Sequence, residues 1–324
     1  LEEIRWSFPQ REPVIAPGTL HGELDAKRAG AGHVIQVGDS YRMYYWGTGS
    51  DGYHHICLAE TSVDEPNGWV ARGSVLDRQP GTEYNDQGPG FPFVVPSEEG
   101  PWLMYLCGWG MPRADGRLPN TTGVAFSDDE GKSFYYRHEA PILELDRPWD
   151  REGTGSVFVR REGEQFQMYY TAIGHYFDKP EGVETGHGDV IPRIGVGFAV
   201  SENGIDWEKP RDDLVVSPRG FETEPYEYIS SKPFLLREDG GERMWVHTFG
   251  KNYRVRSLTG KNGLDWTWQD SGLEGEFGVG EKGSFDDQQR CYVSVIKFED
   301  EYRCWYTGNG FGHTGMGYAV GKCG

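Results

Sequence analysis

No stretch of the 324-residue chain approaches the roughly 18 consecutive apolar residues of a membrane-spanning helix, so a soluble protein is expected. Basic residues are also scarce: 32 Lys and Arg stand against 51 Asp and Glu, a formal charge of −19. Such a surface repels phosphate backbones and anionic lipid, which argues against nucleic acid or a membrane as partner. Cysteine offers little. Cys57, Cys107, Cys291, Cys304 and Cys323 are odd in number and have no C-x-x-C spacing, so neither a disulfide framework nor a zinc site is indicated. Four of them sit in apolar strand-like runs, which suggests a reducing compartment, cytoplasmic rather than secreted. The sequence opens on Leu1 with no apolar leader, which leaves open a trimmed targeting segment.

Aromatic residues (14%) and glycine (47) are plentiful, and they favour short strands joined by tight turns. One alternating segment recurs: "YRMYYWG" at 41, "WLMYLCG" at 102, "FQMYYTA" at 166, "ERMWVHT" at 242 and "YRCWYTG" at 302. Anchored on Met43, Met104, Met168, Met244 and Cys304, the copies lie 61, 64, 76 and 60 residues apart, the mark of an array. An apolar run precedes each copy across a polar turn. A third strand follows, then an Asp/Asn/Gly turn such as "SDDEGKSF" or "SENGIDW", then a fourth strand such as "APILEL" or "DLVVSP".

Four antiparallel strands per repeat predict an all-β, five-bladed β-propeller. It is expected as one domain over 1–324, with blades near 21–75, 84–145, 150–217, 224–272 and 285–324. The N-terminal strand within 4–17 should complete the last blade. The recurring segment is then the second strand of each blade, packing between neighbours.

In such a ring the segments entering the inner strands converge on an axial funnel. All five carry acids: Asp25, Asp86, Asp150 with Glu152, Glu224 with Glu227, and Asp286 with Asp287. Carboxylates sharing a cavity can divide into acid and base, as glycoside cleavage requires. Each could equally cap a turn in its own repeat. Trp46, Trp109, Tyr170, His247, Arg254 and Asn309 are candidates to stack on or hydrogen-bond a neutral sugar.

Through its repeat the chain resembles the five-bladed propeller glycosidases of glycoside hydrolase families 43, 32 and 68, and more distantly the family 130 mannoside phosphorylases. The resemblance implies a general base or nucleophile at Asp25 ("HGELDAK"), a tuning acid at Asp150 ("PWDREGTGS") beside Glu152, and a general acid at Glu227 ("YEYISSKPF"), with Glu224 its competitor. The families' Asp-Pro signature is absent from this sequence. Phosphorolysis would need a basic cluster, for which Lys232, Lys251 and Arg254 are the candidates. Arg28, Arg151 and Arg290 are the entry-segment arginines that could clamp a carboxylate. The resemblance also admits a structural calcium on the axis, with His313 beside it. A non-catalytic, carbohydrate-binding propeller is the remaining alternative.

Overall fold

A computed structural model describes residues 1–137, 141–220 and 226–324. Eighteen strands account for nearly all regular structure. The first, β1 (Ile4–Ser7), stands apart from five antiparallel meanders. These are β2 (Arg28–Val37), β3 (Ser40–Thr48) and β4 (His54–Ser62), with β5 (Val70–Leu76) beside β4; β6 (Gly88–Val95), β7 (Trp102–Trp109) and β8 (Asn120–Ser127); β9 (Gly153–Glu162), β10 (Gln165–Asp178) and β11 (Val190–Ser201); β12 (Ile229–Glu238), β13 (Gly241–Phe249) and β14 (Tyr253–Gly260), with β15 (Trp266–Trp268) beside β14; and β16 (Cys291–Phe298), β17 (Glu301–Thr307) and β18 (Met316–Cys323).

The strands form sheets of four, ten and four. The ten-stranded sheet joins three meanders through single parallel pairs, Asn120↔Gly153 and Ile194↔Ile229. The first strands of the meanders contact one another in the cyclic order β2, β6, β9, β12, β16 and back to β2. The expected N-terminal closure is present: β1 pairs antiparallel with β18, Ile4 opposite Cys323. Among the described residues, the expected fourth strands of the second and third units form no ladder. "APILEL" contributes one backbone bond from Ile142 to Thr122, and "DLVVSP" one bridge, Val196↔Val216. Leu143 and Val216 are buried regardless, so the apolar pattern is satisfied by packing without a ladder.

The recurring stripe works by position. Met43, Met104, Met168, Met244 and Cys304 are fully buried. One residue on, a polar-tipped ring reaches the neighbouring unit: Tyr44 donates to Gly131 O, Tyr105 to Gly204 O and Tyr169 to Gly263 O, at 2.7–2.9 Å. These glycines sit at φ of +76° to +80° and +73°, where a side chain would be strained, and a Cβ on any of them would press on the tyrosine oxygen. Three residues past the stripe, a side chain accepts a backbone N–H from the next unit's inner strand. Thr171 Oγ1 accepts from Lys232, His247 Nε2 from Val293 and Thr307 Oγ1 from Ala31. Each unit is therefore bonded as well as packed to the next.

Candidate functional site at the strand-entry end

Every inner strand carries a register shift near its start, between Gly30 and His33, Gly90 and Phe93, Ser231 and Phe234, Cys291 and Ser294, and opposite Tyr170 and Ala172 in the third unit. Within four of these bulges a non-glycine residue adopts positive φ: Ala31 (50°), Phe91 (49°), Lys232 (42°) and Tyr292 (55°). Strain of about 1–3 kcal/mol per residue persists only where surrounding structure imposes it, and it gathers at functional sites.

The predicted acids are each engaged within their own unit. Asp25, Asp150, Glu227 and Asp286 each lie a few residues ahead of the bulge, buried and bonded to groups of their own unit. Tyr45 donates to Asp25 (2.6 Å), Tyr170 to Asp150 (2.9 Å) and Tyr306 to Asp286 (2.7 Å). All three tyrosines stand two residues past the stripe, so this is one device used three times. His21 extends the first: its Nε2 accepts from Gly73 N, which leaves Nδ1–H to donate to Tyr45. Lys209 Nζ neutralises Asp150 at 2.7 Å and Arg290 Nε neutralises Asp286 at 2.6 Å. Where the stripe offers Leu106, the acid is replaced by buried Asn85. Where it offers Val246, Glu227 instead receives Arg256 at 2.9–3.0 Å and Arg219 at 3.1 Å. No hydrogen bond joins these acids to one another among the described residues.

Other expected site residues are also held internally. The Gly81 N–H holds the Asp86 carboxyl below its usual range within a turn. Buried His247 spends both ring nitrogens on backbone, donating to Lys232 O and accepting from Val293 N. Lys232 is 7% exposed and donates to Val293 O; burial lowers its pKa to about 8. Arg254 bonds the carbonyls of Tyr253 and Gln288 and pairs with Glu274, and Lys251 pairs with Glu184. Each cation of the expected basic cluster thus has a partner of its own. Asn309 receives the N–H groups of Gln288 and Gln289 and donates to Asp287. Glu152 is half-buried with Arg113 at 3.4 Å. Glu224 lies outside the described residues.

An axial calcium does not fit the residues present. His313 Nε2 accepts from the Arg28 guanidinium at 2.5 Å, so its lone pair is committed to a cation. Deeper in, the buried Lys232 charge and desolvation depress His33 to about 3 and His247 well below the ordinary value. Among the described residues no group of three His, Cys, Asp or Glu could hold a metal.

What does converge is a band of rings from four units. Trp109 packs on Trp46 (centroids 4.8 Å apart), Trp46 on Phe91 (5.3 Å), Phe91 on Tyr292 (5.0 Å), Tyr292 on Tyr253 (5.2 Å) and Tyr253 on Phe249 (4.7 Å). Gly90 makes the approach possible, since a Cβ there would lie 2.3 Å from the Trp109 ring. Arg28 lies over Trp46 at 4.1 Å and His54 stands edge-on to Trp109 at 4.8 Å. The rings of the band are buried apart from half-buried Phe91, and half-buried Arg28 lies at its edge, so this end of the molecule, called the mouth below, offers Phe91 and Arg28 as its accessible groups. Arg28, Trp46 and Trp109 are the sequence-predicted residues that meet there. Phe91, Tyr253, Tyr292 and His54 were missed, although Phe91 and Tyr292 occupy matching places in "GPGFPF" and "QRCYVS".

No family model matches the chain. It is 28% identical over 310 residues to the uncharacterized protein Rv1502 of Mycobacterium tuberculosis, covering 92% of this chain and 95% of that one. Among solved structures it is similar to a glycoside hydrolase (TM-score 0.73, 17% identity, 98% of this chain and 92% of that one). It is also similar to a protein from work on family 130 mannoside phosphorylases containing glycoside hydrolases that target β-1,2 mannosidic linkages in Candida mannan (0.64, 13%, 97% and 93%). A third is a thermostable family-43 glycoside hydrolase (0.60, 13%, 95% and 91%). The chain thus shares its fold with these structures along essentially its whole length. No helix among the described residues is long and apolar enough to cross a membrane.

Proposed function

We propose that the chain is a single five-bladed propeller domain that recognises a carbohydrate on the aromatic mouth, with its entry-segment acids serving the blades rather than chemistry. In this reading the ten-stranded sheet is three blades linked at their mouth ends. The observation that carries it is the shared Tyr-to-Asp device: Asp25, Asp150 and Asp286 occupy one repeat position and bind their own blades. A catalytic trio would require each acid to do something different. The rings suit a sugar, whose C–H faces pack on aromatic surface while hydroxyls seek polar neighbours.

Glycoside hydrolysis is the second reading, favoured by the full-length likeness to glycoside hydrolases. It keeps the trio of Asp25, Asp150 and Glu227, or draws on the half-buried Glu152. Phosphorolysis is its variant and would have to use cations other than Lys232, Lys251 and Arg254.

One experiment separates the readings: calorimetric binding and turnover across neutral and acidic glycosides, with and without phosphate, on wild type, Trp109→Ala and Glu227→Gln. The binding reading expects a ligand without product, affinity about tenfold weaker in Trp109→Ala, and Glu227→Gln changed in stability alone. Turnover that Glu227→Gln abolishes at unchanged melting temperature would overturn it.

A further inference from the structure

Arg28 differs from its cationic neighbours. Around the mouth, Arg113 pairs with Glu152, Arg117 with Asp115, Arg254 with Glu274 and Lys251 with Glu184. No carboxylate acts on Arg28 among the described residues, in a chain where acids outnumber bases 51 to 32. Its guanidinium lies on the Trp46 face and one edge meets the His313 imidazole, which neutralises nothing. Its Nε is buried without an acceptor, and so is Nε1 of the Trp46 beneath it. Two donors without acceptors and one uncompensated charge converge at the site read above as the sugar platform. An unpaired, desolvated cation is costly to hold, and a planar guanidinium binds carboxylate or phosphate oxygens through paired N–H groups.

Resting on the mouth as the sugar site, we propose that Arg28 is the specificity residue for an acidic sugar, whose carboxylate or phosphate it receives while the sugar ring lies on the aromatic band. The expectation of a neutral sugar came from acids that are each bonded within their own unit. The net charge of −19 does not prevent this, because exposed charges beyond about 8 Å are largely screened at physiological salt.

The test titrates the intact protein with matched pairs: the uronates of glucose, galactose and mannose against their neutral parents, the 6-phosphates of the same sugars, and inorganic phosphate alone. Tryptophan fluorescence and calorimetry report binding to wild type, Arg28→Met and Arg28→Lys. At least one charged sugar should bind ten or more times tighter than its parent. That preference should vanish in Arg28→Met, persist in part in Arg28→Lys and shrink with added salt in wild type. Preference among uronates names a carboxylate, and preference among phosphates a phosphate. Should Arg28→Met fail to fold, Arg28→Lys and the salt series carry the comparison. Equal binding of charged and neutral sugars, or a preference that Arg28→Met retains, overturns this inference and leaves the mouth as a sugar site. Absence of binding by every sugar overturns both.

Discussion

Asp150 accepts from Tyr170, Lys209 and the Arg147 backbone in a dry setting, and Lys209 also holds Asp146 at 2.8 Å, so removing the Asp150 carboxylate leaves the Tyr170 hydroxyl without its acceptor and the ammonium with one carboxylate instead of two. Asp150→Ala should therefore cost about 1–3 kcal/mol of stability, read by thermal denaturation, and leave sugar binding by the folded fraction unchanged. The buried histidines set the acid limit. The His33 pKa falls from 6.5 to about 3 on folding, because burial and the nearby Lys232 charge oppose its protonation. The unfolded chain then binds the proton first, so stability is lost as pH drops from about 6.5 toward 3. Denaturant midpoints measured between pH 7 and 4 should fall, and His33→Gln should flatten the fall. Lys232 repeats the effect at higher pH: with its folded pKa near 8 and an unfolded value of 10.5, stability rises with pH across that window. Buried thiols and phenols pull the other way, but they are common to wild type and Lys232→Met. The difference between the two proteins should therefore shrink from pH 8 to 10, with Lys232→Met the more stable at pH 7. These roles were half legible. The acids were visible in every entry segment, and so was the tyrosine two residues past the stripe in "YRMYYWG", "FQMYYTA" and "YRCWYTG". Their pairing required aligning the two, and the missing tyrosine at Leu106 coincides with the missing acid at Asn85.

Strand β10 and strand β11 continue past the sheet as a hairpin, with Asp178 opposite Val190. Its tip bends onto the fourth unit: Gly186 N bonds Gly250 O at 2.8 Å, His187 Nδ1 meets the Tyr228 hydroxyl at 2.7 Å and Lys251 reaches Glu184 at 2.6 Å. The excess length of the 76-residue interval is thus a wall beside Phe249, the end of the aromatic band. Replacing residues 180–188 with a two-glycine turn should leave the melting temperature nearly unchanged, because the bonds are few and peripheral. Longer oligosaccharides should gain affinity, as calorimetry against chain length would reveal. Strand number proved harder to read than strand order. "PFVVP" and "SVIKF" were recognisable as inner strands, yet nothing in either run foretells the bulges that hold Phe91 and Tyr292 at positive φ. Register shifts arise from contacts with neighbouring strands, and alternation along a single strand is blind to them.

Four residues near the N-terminus complete the last sheet. β1 covers the edge of β18, and Trp6 anchors it by donating to Glu276 at 2.8 Å and packing on Phe277 at 4.8 Å. Deleting residues 1–8 should expose that edge, with light scattering rising before unfolding is complete. The closing strand was readable because a chain that begins on a lone strand and ends one short admits few other pairings. The same join has a consequence for synthesis. β1 is made before its partner, which follows some 310 residues later. At about 5–20 residues per second, an apolar strand bearing Trp6 and Phe8 waits on the order of tens of seconds without its docking face. The strand thus finds its place only once the last meander is made, and for that interval its apolar face stands open to a chaperone.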